Sequence, residues 1–242
     1  YAILKSGRQK YSLLLNAGGG IMDDLMAGRP DHDGLYVVVN AGNKDADFAF
    51  LKANLSGDAT LTVLEDRSLI AIQGPEAAEV MLAHEPVLAE FGFMDCARLM
   101  LFGVDCFISE AGLPLHGHDI DASTSPVEGA LTFALSKSRK ERADFNGADR
   151  ILKELADGPG RVRVGLSVKE GAPAREGAEI ADLEGNVIGT VTSGGPSPTL
   201  GRNIAMGYVP PAFAELGTDL TVIVRGKPAA AEVVAMPFVV QR

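Results

Sequence analysis

Residues 161–168, Arg161-Val162-Arg163-Val164-Gly165-Leu166-Ser167-Val168, mark the point where the chain changes character. The stretch Gly158-Pro159-Gly160 just before them predicts a linker. After it come short apolar runs broken by Gly and Pro, a spacing typical of a β-barrel or β-sandwich. The predicted strands of this all-β segment are 162–168, 179–180, 187–193, 203–208, 220–224 and 230–240.

Upstream of the linker, strand and helix patterns are mixed. Residues 43–55 predict a helix, because Phe48, Leu51 and Leu55 form a stripe with a period near 3.6 residues. Residues 59–72 predict a hairpin that turns at residues 65–67. The fold class predicted for the whole chain is therefore α+β. The other predicted elements are strands at 11–15, 21–26, 35–39, 97–101 and 104–108, a helix from Pro75 to about Leu82, and two helical patches within 126–156.

Composition excludes several classes of protein. The chain has 242 residues, of which 46% are hydrophobic, so it can bury a core and is not disordered. Lys and Arg number 22 against 32 acids, a net charge of −10 that repels nucleic acid. No apolar run is long enough for a membrane helix. Two Cys exclude a disulfide framework and a four-Cys zinc site.

Asp23 and Asp24 are adjacent acids in a predicted strand. Neighbours on a strand point to opposite faces, so Asp24 shares its face with Met22 and Met26, and Asp23 shares the other face with Leu25. A carboxylate among apolar side chains needs a partner, which a cationic or N–H-rich ligand could supply. Spacing alone leaves two interpretations open, a ligand-binding carboxylate and a structural Asp that caps a turn.

The other polar motifs predict no cofactor or metal. His116-Gly117-His118-Asp119 resembles half of a metal site, but zinc needs at least three protein ligands, and His32 and His84 lie in unrelated segments. The motif is therefore interpreted as a polar turn, and no metal is predicted. Cys96 and Cys106 are interpreted as inert small hydrophobic residues.

Several stretches, in order and spread over nearly the whole chain, resemble the T-protein of the glycine cleavage system, the aminomethyltransferase family. The matching stretches are 7–16 (Gly-Arg-Gln-Lys-Tyr-Ser-Leu-Leu-Leu-Asn), 19–25 (Gly-Gly-Ile-Met-Asp-Asp-Leu), 38–41 (Val-Val-Asn-Ala), 72–75 (Ile-Gln-Gly-Pro), 110–121, 125–131, 191–195 and 197–209. The resemblance implies a three-domain cloverleaf. Its parts would be a discontinuous folate-binding domain at 1–46 and 110–157, a ferredoxin-like α+β domain at 47–109, and a C-terminal β-barrel or jelly-roll-like domain at 161–242.

The resemblance also implies a reaction. The methylene carbon of an aminomethyl group on the lipoyl arm of the H-protein passes to tetrahydrofolate, the co-substrate, and ammonia is released. In that family the second Asp of the Gly-Gly-Ile-x-Asp-Asp motif is the key carboxylate, which is Asp24 here. Tyr11, Met26 and Asn40 match positions that line the folate pocket. The implied location is the cytoplasm in a bacterium and the mitochondrial matrix in a eukaryote.

The chain departs from the family pattern in two places. From the family pattern we expect a segment before Tyr1 and a block between Ser109 and Glu110 to be missing, so we predict that these two residues are not peptide-bonded. Two alternatives stay open at this point. One is the folate-dependent demethylating module of dimethylglycine or sarcosine dehydrogenases, and the other is a non-enzymatic folate-binding protein of iron–sulfur cluster assembly.

Overall fold

A computed structural model gives the architecture of the chain. It describes residues 4–31, 34–72, 76–109, 117–169 and 171–238. The strands are β1 (Arg8–Leu15), β2 (Ile21–Arg29), β3 (Tyr36–Val39), β4 (Cys96–Leu101), β5 (Val104–Ser109), β6 (Val162–Val168), β7 (Glu179–Ala181), β8 (Val187–Ser197), β9 (Arg202–Val209), β10 (Asp219–Val224) and β11 (Lys227–Val234). The α-helices are α1 (Lys44–Asn54), α2 (Ala77–His84), α3 (Lys137–Arg142) and α4 (Ala148–Asp157), and short 3₁₀ turns lie at Pro86–Glu90, Thr132–Ala134 and Pro211–Phe213.

The chain forms two compact units. The first consists of Tyr1–Leu14 and Asp23–Leu113, and the second of Leu15–Met22 and Pro114–Arg242. The predicted division into three domains, with boundaries near 46, 109 and 157, stays a prediction. The predicted break between Ser109 and Glu110 lies outside the described residues, as do Pro75, His116 and the end of the last predicted strand.

The first unit contains an antiparallel sheet and a separate hairpin. The sheet has the order β1-β2-β3. In the hairpin, β4 pairs with β5 from Cys96↔Ser109 to Leu101↔Val104. The two residues between these strands, Phe102 and Gly103, both have positive φ, as a tight two-residue hairpin turn requires. The strands predicted at 97–101 and 104–108 are therefore confirmed, and so is the helix predicted at 43–55.

The hairpin predicted at 59–72 is wrong, because no residue of that range is in a strand. Its apolar side chains do not lie against a second layer, and Leu69 is 80% exposed. An isolated two-stranded hairpin is marginal in water without such a layer. Arg67, at the expected turn, instead forms an ion pair with Asp105 of β5 at 3.0 Å.

The second unit contains a closed antiparallel barrel with the strand order β10-β11-β6-β9-β8-β7. Its core is aliphatic, with Leu166, Ile180 and Val222 fully buried, which explains why short Val- and Ile-rich runs form strands here. The predicted barrel and the mixed α/β class are confirmed. The predicted last strand starts too late, because a tight turn at Arg225-Gly226 returns the chain after β10 and starts β11 at Lys227. β11 ends at Val234, and residues 235–238 are not in a strand.

The turn between β1 and β2 belongs to the second unit and shows why the glycine run is there. The Asn16 side chain accepts a hydrogen bond from the Gly20 N–H at 3.0 Å and donates one to the Ala122 carbonyl, also at 3.0 Å. A Cβ on Gly20 would lie 1.7 Å from that carbonyl oxygen, so only glycine can occupy the position. Close backbone packing therefore accounts for the glycine at this position.

A polar cluster in the second unit surrounds Glu128. Its carboxylate accepts the Ser125 N–H at 2.9 Å and forms ion pairs with Arg150 at 3.0 Å and Arg161 at 3.2 Å. Arg150 also pairs with Glu154 of α4 at 2.7 Å. We call Glu128, Arg150, Arg161 and Glu154 the Glu128 network. It fastens the segment before the barrel to helix α4 and to the start of the barrel.

Candidate active site

Strand β2 carries Asp23 and Asp24 on opposite faces, as the alternation predicts. The Asp23 side chain lies on the buried face with Ile21 and Leu25 and is 0% exposed, whereas Asp24 lies on the half-buried face with Met26. Asp23 is therefore the more buried of the two acids. The turn before β2 is closed by the Asn16 side chain, which accepts the Gly20 N–H.

Asn40 joins the two acids. In the antiparallel pairing of β2 and β3, Leu25 lies opposite Val39. Continuing the same register places Asn40 opposite Asp24. Its Nδ2 donates to Asp23 Oδ1 and to Asp24 Oδ1, at 2.8 Å in both cases. Carboxylate oxygens only accept hydrogen bonds, so the amide nitrogen must face them. The Asn40 side-chain oxygen accepts no hydrogen bond from the described part of the chain and can receive an N–H from a ligand.

A third acid, Asp47, completes the cluster from the first turn of α1. It is the only side chain of that helix that is buried, at 1% exposure. Burial, the side-chain hydrogen bond to Asp23 and the negative charges of Asp23 and Asp24 together raise the pKa of Asp47 to about 7, with burial as the largest cause. A helix N-terminus ordinarily favours an ionised carboxylate, so burial and the neighbouring acids outweigh the helix here.

The sequence did not identify Asp47. The apolar periodicity of α1 predicted that Phe48, Leu51 and Leu55 form its buried face. In the structure Phe48 and Leu51 are only half-buried, and Leu55 is exposed. One signal was present, because Asp47 lies four residues before Leu51 and so shares that helix face. An acid on the apolar face of a helix needs a partner, and β2 provides it.

Met26 and Tyr11 are the other predicted site residues. Met26 lies on the same face of β2 as Asp24, two residues further along, and is half-buried. Tyr11 of β1 is 2% exposed and lies, together with Gln9, on the buried face of its strand. The structure therefore brings Asp24, Asn40 and Met26 to one face of the sheet and gives Tyr11 a buried position.

The polar motif around His118 has a structural role. His118 Nδ1 lies 2.8 Å from a carboxylate oxygen of Glu176, and both side chains are exposed. Asp119 is buried and accepts hydrogen bonds from the hydroxyls of Thr192 and Ser193, each at 2.7 Å. Among residues the structure describes, which leave out 110–116, no three His, Cys, Asp or Glu side chains are grouped to hold a metal.

Buried Cys96 is not an activated thiol. Burial raises its pKa, so the reactive thiolate form is disfavoured.

No helix in the described part of the chain is long and apolar enough to cross a bilayer. The acids on β2 and α1, with Asn40, are therefore the candidate active site, and their chemistry suits a ligand that presents N–H groups or positive charge.

Two family models match the chain. Residues 1–112 match the family model described as "GCVT N-terminal domain". Residues 161–239 match the one described as "Glycine cleavage T-protein C-terminal barrel domain". The first range holds all the acids of the candidate site, and the second coincides with the closed barrel.

Similar proteins of known name cover nearly the whole chain. The chain is 38% identical to the mitochondrial aminomethyltransferase of Canis lupus familiaris over 98% of this chain and 72% of the relative. It is 37% identical to the probable mitochondrial aminomethyltransferase of Schizosaccharomyces pombe, over 98% and 73%. The alignment with the dog protein spans 291 positions, more than this chain has residues, so the relative carries residues within the aligned stretch that are missing here.

One solved structure is also similar. The crystal structure of glycine cleavage system aminomethyltransferase T from Bartonella henselae superimposes with a TM-score of 0.81, at 36% sequence identity, over 98% of this chain and 78% of that one. The resemblance found in the sequence is confirmed. The names of these relatives agree with aminomethyl transfer and not with the demethylating or the iron–sulfur alternative.

Proposed function

The chain belongs to the family of glycine cleavage T-proteins, and from that membership we propose the reaction that its carboxylate cluster supports. It is a tetrahydrofolate-dependent aminomethyltransferase. The migrating carbon leaves the lipoyl sulfur and its own amino group, and bonds to two folate nitrogens. Each nitrogen gives up one proton; one proton completes ammonia and the other returns to the thiol, so the products are 5,10-methylene-tetrahydrofolate, ammonia and the dihydrolipoyl arm.

Asp24 is the group that we propose acts on the reacting atoms. Its carboxylate lies on the half-buried face of β2, and the Asn40 amide fixes one of its oxygens. Positive charge develops on the migrating carbon, and a carboxylate that is already oriented stabilises that charge without reorganising. The same carboxylate can accept a hydrogen bond from a folate N–H and so orient the nitrogen for attack.

The neighbouring residues would shape the folate pocket. Asn40 offers its side-chain oxygen to an N–H donor, and Met26 lines the same sheet face as Asp24. Tyr11 contributes from the buried side of β1. Carboxylate and amide oxygens match the N–H groups of a reduced pterin, so the donor set suits tetrahydrofolate as the co-substrate.

The proposed partner is the lipoylated H-protein, which carries the aminomethyl group to the site. Such a delivery contact is transient, and transient interfaces are often small. The net charge of −10 argues against nucleic acid as a partner. The eukaryotic relatives from dog, fission yeast and pea are mitochondrial proteins by name, so we propose the mitochondrial matrix if this chain is eukaryotic and the cytoplasm if it is bacterial.

The single observation that carries this proposal is the pair of acids on β2 held by one amide, in a chain of this family. The test incubates the chain with aminomethylated, lipoylated H-protein and tetrahydrofolate, and measures ammonia and methylene-tetrahydrofolate. Equal amounts of both products are expected, with none when the H-protein lacks lipoate. Folate binding by a folded chain that releases no ammonia would overturn the proposed reaction.

A further inference from the structure

Asp47 has an unusual environment for an acid. Its carboxyl is 1% exposed, and its Oδ2 has no hydrogen-bond partner in the part of the chain that the structure describes. Its side chain is hydrogen-bonded to the carboxyl of Asp23. Two ionised carboxylates cannot bond to each other, since neither has a hydrogen to donate. A proton must therefore lie between Asp47 and Asp23.

The surroundings decide which acid keeps this proton. Asp23 accepts an N–H from Asn40 at 2.8 Å, and such a bond favours the ionised form. The Oδ2 atoms of Asp47 and Asp23 are both buried, so the difference between the two acids is the N–H that Asn40 donates to Asp23 and not to Asp47. Asp47 is therefore the neutral acid and the donor, and Asp23 is the anion.

From this arrangement, and resting on the function proposed above, we propose that Asp47 is a positioning residue that holds a proton on behalf of the site. As a neutral acid it donates to Asp23, which keeps Asp23 anionic and fixed. Asp23 in turn holds one N–H of Asn40, so that the other N–H of the same amide points at Asp24. Loss of the Asp47 proton would remove this anchor and add a third negative charge beside Asp24.

The other charged groups around Asp47 do not supply this proton. From β2 the groups that act on it are Asp23 and Asp24, which are both acids. On its own helix, Lys44 and Asp45 are exposed. The raised pKa described above agrees with a neutral Asp47 below about pH 7.

Three variants of the full chain test the proposal. Asp47→Asn keeps an N–H donor of nearly the same shape but cannot ionise. Asp47→Ala removes the donor. Asp45→Asn is the matched control, because it changes an exposed acid in the same helical turn. Transfer from aminomethylated H-protein to tetrahydrofolate is measured against pH for each, with melting temperatures recorded alongside.

We expect wild-type transfer to fall as pH rises through about 7, by up to about tenfold per pH unit, because one proton is lost. Asp47→Asn removes that fall and stays within about threefold of wild type at lower pH, whereas Asp47→Ala loses about tenfold at every pH. Asp45→Asn follows wild type. A residue that acted only on stability would lower the melting temperature without changing the pH profile.

A second measurement does not depend on turnover. The ¹³C chemical shift of the Asp47 carboxyl, assigned through Asp47→Asn, should titrate near pH 7 in the folded chain without ligands. A titration near pH 4, or superimposable pH profiles for wild type and Asp47→Asn, would overturn the proposal. If wild type itself transfers no carbon, the proposed function fails, and the carboxyl titration alone decides where the proton lies.

Discussion

The candidate site in the first unit and the Glu128 network in the second both hold acids away from water, by opposite means. Glu128 faces two guanidinium groups, Arg150 and Arg161. In the site, an amide joins Asp23 to Asp24, and a third acid, Asp47, is hydrogen-bonded to Asp23, in our proposal through a proton that Asp47 keeps. Glu128, which serves the fold, is neutralised by fixed cations, whereas the site keeps negative charge that a ligand can use.

This difference has an energetic meaning. A buried ion pair with good geometry is broken at a large cost, because the remaining charge is left without its partner. A carboxylate that is held mainly by neutral groups keeps most of its field, and that field can act on positive charge in a substrate. Variants in the Glu128 network should therefore change mainly the stability of the fold, whereas variants in the candidate site should change mainly the turnover.

The largest expected effect is the loss of turnover in Asp24→Asn. The two side chains are nearly isosteric, so packing should change little, but the charge that faces the migrating carbon is gone. We expect transfer to fall by about 10²–10³-fold, with the melting temperature close to that of wild type. Ammonia release from aminomethylated H-protein measures the rate.

Asp23→Asn is the comparison that can contradict this assignment. Asp23 lies on the opposite face and acts through Asn40, so its loss should reduce transfer by about tenfold or less and lower the stability. If Asp23→Asn damages transfer more than Asp24→Asn does, then Asp24 is not the group that acts on the substrate.

Asn40→Ala should give the next largest effect, on both properties. It removes the donor shared by Asp23 and Asp24 and leaves two adjacent carboxylates without that bond. We expect transfer to fall by about tenfold to hundredfold and the free energy of unfolding to fall by about 1–3 kcal/mol. Urea unfolding followed by circular dichroism is the suitable measurement, because the chain has no Trp. Unchanged folate binding together with unchanged transfer would contradict the role of Asn40.

Glu128→Gln should change stability alone. It leaves Arg150 and Arg161 facing a neutral amide, and since both Arg side chains are about a third or more exposed, solvent screening limits the cost. We expect the free energy of unfolding to fall by about 1–2 kcal/mol, with transfer by the folded protein unchanged. A loss of turnover as large as that of Asp24→Asn would show that the division between the two clusters is wrong.

The comparison that is sharpest in sign is the pH dependence of stability. Because the pKa of Asp47 is raised to about 7, the folded chain binds more protons than the unfolded chain between about pH 4 and 7. Its contribution to the free energy of unfolding therefore falls as pH rises through this window, by up to about 1.4 kcal/mol per pH unit, and is constant above it. Unfolding measured across the window should show a steeper fall for wild type than for Asp47→Asn.

Asp121 in the second unit should change the stability with pH in the opposite direction to Asp47. Burial by itself raises its pKa, but hydrogen bonds from Ser123 and Thr124 outweigh burial and lower it. Its contribution is present above its ordinary pKa and is lost as pH falls through the acid range below about 4. Asp121→Asn should reduce the loss of stability in acid and leave the window between about pH 4 and 7 unchanged.

Some parts of the site follow from local sequence, and others do not. The alternation of β2 placed Asp23 and Asp24 on opposite faces correctly, because side-chain direction in a strand depends only on position. The tie between them could not be predicted in this way, since Asn40 is sixteen residues from Asp24 and reaches it only through the pairing of β2 with β3. Asp47 was missed because a helical stripe is counted in apolar residues, and a polar residue on that stripe is counted against the pattern.

The hairpin predicted at 59–72 shows the converse error. Its alternation is present in the sequence, yet no strand forms, because a strand pattern is stable only where another layer covers its apolar side. The barrel did not suffer from this limit. Its strands supply the covering layer for one another, so the runs from Val162 onward were recognised, and the largest errors are the end of β8 and the bounds of β11.

The class of the fold, the barrel after Arg161, the family and the two adjacent acids of β2 could all be predicted from the residues in order. These depend on composition, on periodicity and on motifs that are contiguous along the chain. The folded chain was needed to find that Asp23 is the buried acid, that Asn40 bonds to both acids, and that Asp47 lies against Asp23. The physical reason is that burial and proton sharing depend on groups brought together from β2, β3 and α1, and their distances in space are set by strand pairing and helix packing.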